Sequence, residues 1–324
     1  MTALRAPAWL KGSPRLARLV ESVGAQTIAD RLDRFRTDGD VTAVTMPALA
    51  GQWRSQRLKL HRLRGRDQVA EALDNGGWRG FEHPVPSVFR AWVARVDGIV
   101  YDVGANTGLY SIIAAASTNQ DIYGFEPVPE IAALARANLA LNGADRQVRL
   151  IEAAVSERTG TASIYLPPPV NHSVETSASL DPSFKGTHDR VVEIATTTLD
   201  DHWASVGRPP VAAVKIDVEG HEVAVLAGAE QLVADCAPTI FIEVFKHTEE
   251  LTAFKERHTY VDVRLSDVEA IFGDAVRFDP LAWNHVLIPL DRVFAMADMA
   301  ESFGLVATFL GHDERPRPAG SGSR

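Results

Sequence analysis

The sequence predicts an α/β domain built on a doubly wound, largely parallel sheet, and three observations predict it. From Gly98 onward short β-rich runs alternate with longer stretches of helical spacing. The runs are too continuously apolar to leave one face wet, which points to a sheet covered by helices on both sides. The first run passes into a helix through a turn rich in glycine and polar residues, where such folds place their ligands.

The elements follow in order. Residues 1–95 read as a mainly helical extension, with helical stretches near 14–36, a β-like run QWRSQRLKLHRL (52–63) and then DNGGWRGFEHPVP. In the β-like run Leu58 and Leu60 face inward, and Arg54, Arg57, Lys59, Arg62, Arg64 and Arg66 form the wet side of an edge strand. This extension is expected to pack on the sheet domain, as a substrate cap or a homodimer contact. The main domain spans 96–310, with strands GIVYDV, DIYGFE, VRLIEAAV, VAAVKIDV and TIFIEVF. Between them IAALARANLALNG carries Ile131, Leu134, Ala135 and Leu139 on one helical face and ends at Asn142-Gly143. HEVAVLAGAEQLVADC reads as a second helix. A polar, proline-punctuated loop between Ser156 and Thr198 carries His172 and has the length of a substrate-binding element. Residues 311–324 are proline, glycine, serine and charge, a flexible tail.

Composition narrows the function. A chain of 324 residues, 46% hydrophobic and 23% charged, can bury one large core with an accessory segment. A formal charge of −9 argues against a broad phosphate-binding face, so nucleic acid is not expected as a partner. The single cysteine, Cys236, precludes an internal disulfide or a thiolate metal cluster and suits a cytoplasmic location. Lys11, Arg15 and Arg18 interrupt every apolar stretch that could form a signal core, and no run approaches the ~20 apolar residues of a membrane span.

The turn after the first strand holds Asp102, Gly104, Asn106 and Gly108. Its G-x-x-x-G spacing departs from the G-x-G-x-x-G dinucleotide fingerprint, with Asn106 where the pyrophosphate-approaching glycine belongs. Asp102 would repel phosphate and attract a cationic amine. Glu126, 22 residues after Gly104, ends the next strand and can accept hydrogen bonds from both hydroxyls of a ribose. These pieces imply a ligand with a ribose, an ammonium group and no phosphate, a description that S-adenosylmethionine fits. Further along, Asp217, Glu219 and His221 lie in VKIDVEGHEVAVLAGA, and Glu243 ends the neighbouring strand. These four could converge as an acid/base set able to deprotonate a hydroxyl, with His221 or Asp217 as the base. A magnesium site on these carboxylates is the weaker reading, because an aspartate-rich cluster is missing, and no metal is expected.

Together YDVGANTGLYS, GFEPVPE, LNG, EAAVSERTG, TTTLDD, VKIDVEGHEVAVLAGA and PTIFIEVF resemble the FkbM family of S-adenosylmethionine-dependent methyltransferases, across about residues 80–245. The resemblance implies a seven-stranded, Rossmann-like methyltransferase sheet. It also implies methyl transfer, usually to oxygen, on a secondary metabolite or sugar-containing small molecule. It places Asp102, Gly104, Asn106 and Gly108 at the cofactor's methionine and ribose end, Glu126 at its ribose, Glu152 and Ala154 at its adenine, and Asp217 beside the methionine or the acceptor. Alternatives are a protein, nitrogen or carboxylate acceptor, and a nicotinamide oxidoreductase, which Asn106 and Asp102 disfavour. A non-catalytic binding module would be expected to lack the second set of acidic residues, which is present.

Overall fold

The computed structural model describes residues 40–49, 56–63, 66–166, 179–180 and 190–310. The expected helices near 14–36, His172 with most of its loop, and the tail lie outside the described residues.

The chain begins with a hairpin of β1 (Val41–Met46) and β2 (Gln56–His61), followed by α1 (Gln68–Gly76) and α2 (Val85–Val93). Leu58 and Leu60 are buried while Arg57 and Lys59 are exposed, as the alternation in the run requires. The described part of the extension therefore mixes hairpin and helix. Then come β3 (Ile99–Val103), α3 (Leu109–Ala115), β4 (Ile122–Phe125), α4 (Pro129–Leu141) and β5 (Val148–Ile151). The edge of β2 is closed by α4. Asn142 accepts from the Lys59 amide at 2.9 Å and donates to its carbonyl at 2.7 Å, and Asn138 accepts from the His61 amide at 2.9 Å. Side-chain amides thus satisfy backbone groups that an edge strand would otherwise leave open.

After β5 the chain bends. VRLIEAAV divides at Glu152–Ala153, and its second half, β6 (Ala154–Val155), joins β7 (Gly160–Leu166) and β8 (Arg190–Thr197) in a separate three-stranded sheet. Next are α5 (Leu199–Ser205), β9 (Val211–Ile216), α6 (Glu222–Ala227), α7 (Glu230–Cys236) and β10 (Thr239–Glu243). The single helix expected over 221–236 is thus two, broken at Gly228, where a Cβ would stand 2.2 Å from the Ser156 carbonyl oxygen. The chain finishes with α8 (Thr248–Arg257), β11 (Tyr260–Leu265), β12 (Glu269–Gly273), β13 (Asn284–Pro289), α9 (Val293–Ser302) and β14 (Val306–Phe309).

The central sheet has nine strands in the order β14-β12-β11-β13-β10-β9-β3-β4-β5, two more than the seven expected. β5, β4, β3, β9 and β10 run parallel, β13 pairs antiparallel with β10, and β11 pairs antiparallel with β13, which returns it to the direction of β10. The fold is therefore α/β and Rossmann-like with a mixed sheet. The sheet extends beyond residue 260, where YVDVRL interleaves charged and apolar residues instead of forming the apolar runs that mark the centre.

Both faces are covered. Val100, Ala213 and Phe241 pack with Phe89 of α2, Ile113 of α3 and Met296 of α9. Tyr101, Val214, Ile216 and Ile242 pack on the other side with Trp203, Leu226 and Leu232. The Val, Leu, Ile, Phe and Met side chains among them each contribute roughly 1.5–3 kcal/mol on burial. Between β3 and β9 the strand order reverses, and in open α/β sheets the crevice at that reversal is where ligands bind.

Candidate functional site

A cavity of about 420 Å³ opens at the carboxyl ends of β3, β4, β9 and β10. One half is made by the turn after β3. Gly104 has φ +79°, and a Cβ there would stand 1.8 Å from the Asp217 carbonyl oxygen, so only glycine lets the turns after β3 and β9 meet. The amides of Gly104 and Ala105 both donate to the Phe125 carbonyl, at 3.0 and 2.8 Å, which ties the turn to the end of β4. Asn106 sits at φ 49°, a left-handed conformation asparagine tolerates.

Glu126 is 5% exposed. One carboxylate oxygen accepts from the Asn106 amide at 3.0 Å and the other from the Val128 amide at 2.8 Å. Burial pushes its pKa up to about 7, against the pull of those amides. Each oxygen keeps acceptor capacity beyond its amide bond. Asn106 Oδ1 is buried and accepts no hydrogen bond among the described residues. This half of the cavity presents acceptors, so it fits a ligand end bearing hydroxyl or ammonium donors. A phosphate, itself only an acceptor, does not match. The residues present therefore fit an adenosyl sulfonium donor, with Glu126 at the ribose hydroxyls.

The other half is acidic. Asp217 directly follows β9, Glu243 ends β10, and Glu82 arrives from the segment before α2. Oxygens of these three carboxylates lie within 4.8 Å of one another. Beneath them is Lys215, 1% exposed, in register with Asp102 on β3 and Phe241 on β10. Its Nζ lies 3.4 Å from Asp217 Oδ2 and 4.9 Å from the centroid of the Tyr110 ring. Burial works against its charge, but Asp217, Glu82, Glu243 and Asp102 outweigh that and hold the lysine firmly ammonium. The Tyr110 hydroxyl donates to Glu82 Oε2 at 2.5 Å. Burial, then the Asp217 charge, raises Glu243 well above the usual carboxylate range, and burial raises Glu82. A trio at this spacing could ligate a cation; Lys215 already sets one buried positive charge against it.

Of the residues singled out in the sequence, Gly104, Asn106, Glu126, Ala154, Asp217, Glu219, His221 and Glu243 line the cavity. Asp102, Gly108 and Glu152 are not among the lining residues. Asp102 is 2% exposed and accepts from Ser111 Oγ at 2.6 Å, with burial raising its pKa to about 6. Gly108 begins α3 at φ +88° against Ala135. Glu152 is ion-paired with Arg136. His221 Nε2 lies 2.9 Å from Ser156 Oγ, and the Glu219 carbonyl accepts from Ser179 Oγ at 2.8 Å. Glu82, Lys215 and Tyr110 went unseen in the sequence. Only Lys215 carried a signal there, as a single charge inside the apolar run VAAVKI.

Residues 102–268 match the family model described as methyltransferase FkbM domain. The chain belongs to the FkbM methyltransferase family. Among curated proteins it is 30% identical over 139 residues to the hexuronic acid methyltransferase AglP of Haloferax volcanii. That alignment covers 42% of this chain and 51% of the relative, so the FkbM chain spans about half the length of the curated relative it matches. Among solved structures, a methyltransferase FkbM from Methylobacillus flagellatus KT aligns with TM-score 0.39 and 13% identity, over 59% of this chain and 43% of that one. A precorrin-6y C5,15-methyltransferase from Geobacter metallireducens GS-15 aligns with TM-score 0.36 and 17% identity, over 64% and 89%. Among the described residues no helix is long and apolar enough to cross a membrane.

Proposed function

We propose that the protein is a cytoplasmic S-adenosylmethionine-dependent methyltransferase that methylates a hydroxyl of a small molecule. The observation that carries this reading is the two-part lining of one cavity. Acceptor atoms suited to a ribose and an ammonium occupy one half, and a carboxylate trio suited to a reacting hydroxyl occupies the other. The bound donor would supply an already activated methyl group. Glu126 and Asn106 hold and orient the nucleoside end. The trio takes the hydroxyl's proton, with Asp217 or Glu243 as the receiving oxygen and Lys215 stabilising whichever carboxylate is ionised. A carboxylate raised by burial is the stronger base once deprotonated, which is what removal of a hydroxyl proton demands. Gln68, Val69, Gly80, Phe81 and Glu82 line the cavity, so the described part of the 1–95 extension serves as a cap over the 96–310 methyltransferase domain.

The test is methyl transfer from a labelled donor across hydroxylated acceptors, with Asp217→Asn and Glu243→Gln alongside the wild type. At least one variant is expected to lose about 10²–10⁴ in kcat while binding S-adenosylhomocysteine as the wild type does. Full activity in both variants would remove the trio from the chemistry.

A further inference from the structure

Two aromatic side chains stand at the mouth of the acidic half. Phe245 lies two residues beyond Glu243, and Trp283 immediately precedes Asn284, which pairs with Glu243 across β10 and β13. The Val244 amide donates to the Trp283 carbonyl at 2.8 Å, fixing the two segments side by side. The rings stack with centroids 6.3 Å apart and planes 25° from parallel, and Phe278 continues the surface 6.5 Å from Phe245. Both Phe245 and Trp283 line the cavity and are 37% exposed. An apolar cluster kept at a cavity mouth marks a binding surface.

Its occupant follows from volume and charge. A cavity of about 420 Å³ lies near the lower end of the roughly 300–1,000 Å³ that one drug-sized ligand occupies. A nucleoside donor inside leaves the acceptor at the mouth, over Phe245 and Trp283. Aromatic faces are electronegative and attract the polarised C–H bonds of an oxygenated ring. Just inside, the carboxylates can pair with hydroxyls in either protonation state. An incoming carboxylate would add another anion to a group already crowded enough to retain protons, against one buried ammonium. Lys246, next to Phe245 in the chain, lays its side chain against Gly220.

We propose that Phe245 and Trp283 are the acceptor platform, and that the acceptor is an uncharged hydroxylated ring, a neutral pyranoside, stacked there with hydroxyls turned toward Glu243 and Glu82. This rests on the methyltransferase reading and gives that site a substrate class. It differs from the acidic sugar in the name of the Haloferax relative.

The experiment titrates the full chain with S-adenosylhomocysteine by calorimetry. It then follows binding of methyl glucoside, galactoside and mannoside, and of methyl glucuronoside, to the loaded protein by saturation-transfer NMR. Wild type, Trp283→Ala and Phe245→Ala are compared. At least one neutral pyranoside is expected to bind about tenfold tighter than the uronoside, and both variants to lose up to about tenfold of that affinity with S-adenosylhomocysteine binding unchanged. Equal or tighter binding of the uronoside overturns the proposal. So does unchanged pyranoside binding in the variants, or no pyranoside binding to loaded wild type. Failure of S-adenosylhomocysteine to bind is a separate outcome that removes the methyltransferase reading and this proposal with it.

Discussion

The two halves of the cavity are built in opposite ways. The half around Glu126, the proposed nucleoside side, comes from one short stretch of chain, β3 to the start of α4, in which Gly104, Asn106 and Glu126 are held by hydrogen bonds of backbone amides to one another and to Phe125 and Val128. The acidic half is gathered from five separate places, Glu82, Tyr110, Lys215 with Asp217, Glu243 and Trp283, and is held by buried charge. The first is a local motif. The second depends on the whole fold, and it meets the first where Gly104 lies against the Asp217 carbonyl.

Substitutions should separate the halves by kind of effect. The largest is expected from Lys215→Met, which leaves buried carboxylates with no cation and should cost about 3–5 kcal/mol of stability, read as a fall in denaturant midpoint. That loss should shrink at acid pH, as the carboxylates take up protons. Wild-type stability at neutral pH would show that the lysine charge is not what holds the acidic half.

Gly104→Ala comes next, at about 2–4 kcal/mol, because it adds left-handed strain and a clash with the Asp217 carbonyl. Here the damage falls on the contact between the halves, so donor binding and stability should fall together.

Glu126→Gln should weaken S-adenosylhomocysteine by roughly 10–100-fold, the worth of about 1.5–3 kcal/mol in hydrogen bonds to a charged group, without changing acceptor preference. Its pH signature is specific. The carboxyl's folded pKa is about 7, raised from an ordinary 4.5, so the folded state holds the proton across that window. The stability this group contributes is complete below about pH 4.5 and is lost as pH rises through 7, on the order of 3 kcal/mol in all. Donor binding should run the other way and tighten from pH 6 to 8, because the ionised carboxylate is the better acceptor for a diol. Both trends should flatten in Glu126→Gln.

The smallest expected effect lies outside both halves. Asn142→Ala removes the hydrogen bonds that close the edge of β2 and should cost about 1 kcal/mol by thermal melting, with donor binding unaltered.

The same contrast explains what the sequence made legible. The turn after β3 and the acidic end of β4 are 22 residues apart from Gly104 to Glu126, and each carries a residue type whose chemistry is readable without coordinates. Strand-end positions were also readable for Asp217 and Glu243, both of which reach the cavity. The direction of a side chain was not. In β3 Asp102 falls on the face toward α3, where Ser111 meets it, although it stands just before the turn. Glu82 and Trp283 gave no local signal, since they enter the site only through the approach of segments far apart in the chain. The added sheet edge was hidden for a different reason. β12 and β14 are runs of only five and four residues, EAIFG and VATF, too short for the sequence pattern to separate strand from helix.

The most direct measurement is calorimetric titration of the full chain with S-adenosylmethionine and S-adenosylhomocysteine, repeated on Glu126→Ala and, for wild type, with NADH. Micromolar binding of both adenosyl ligands, lost in the variant and not matched by NADH, is the result expected of this cavity. A folded wild-type protein that binds neither adenosyl ligand, or binds NADH instead, would contradict it.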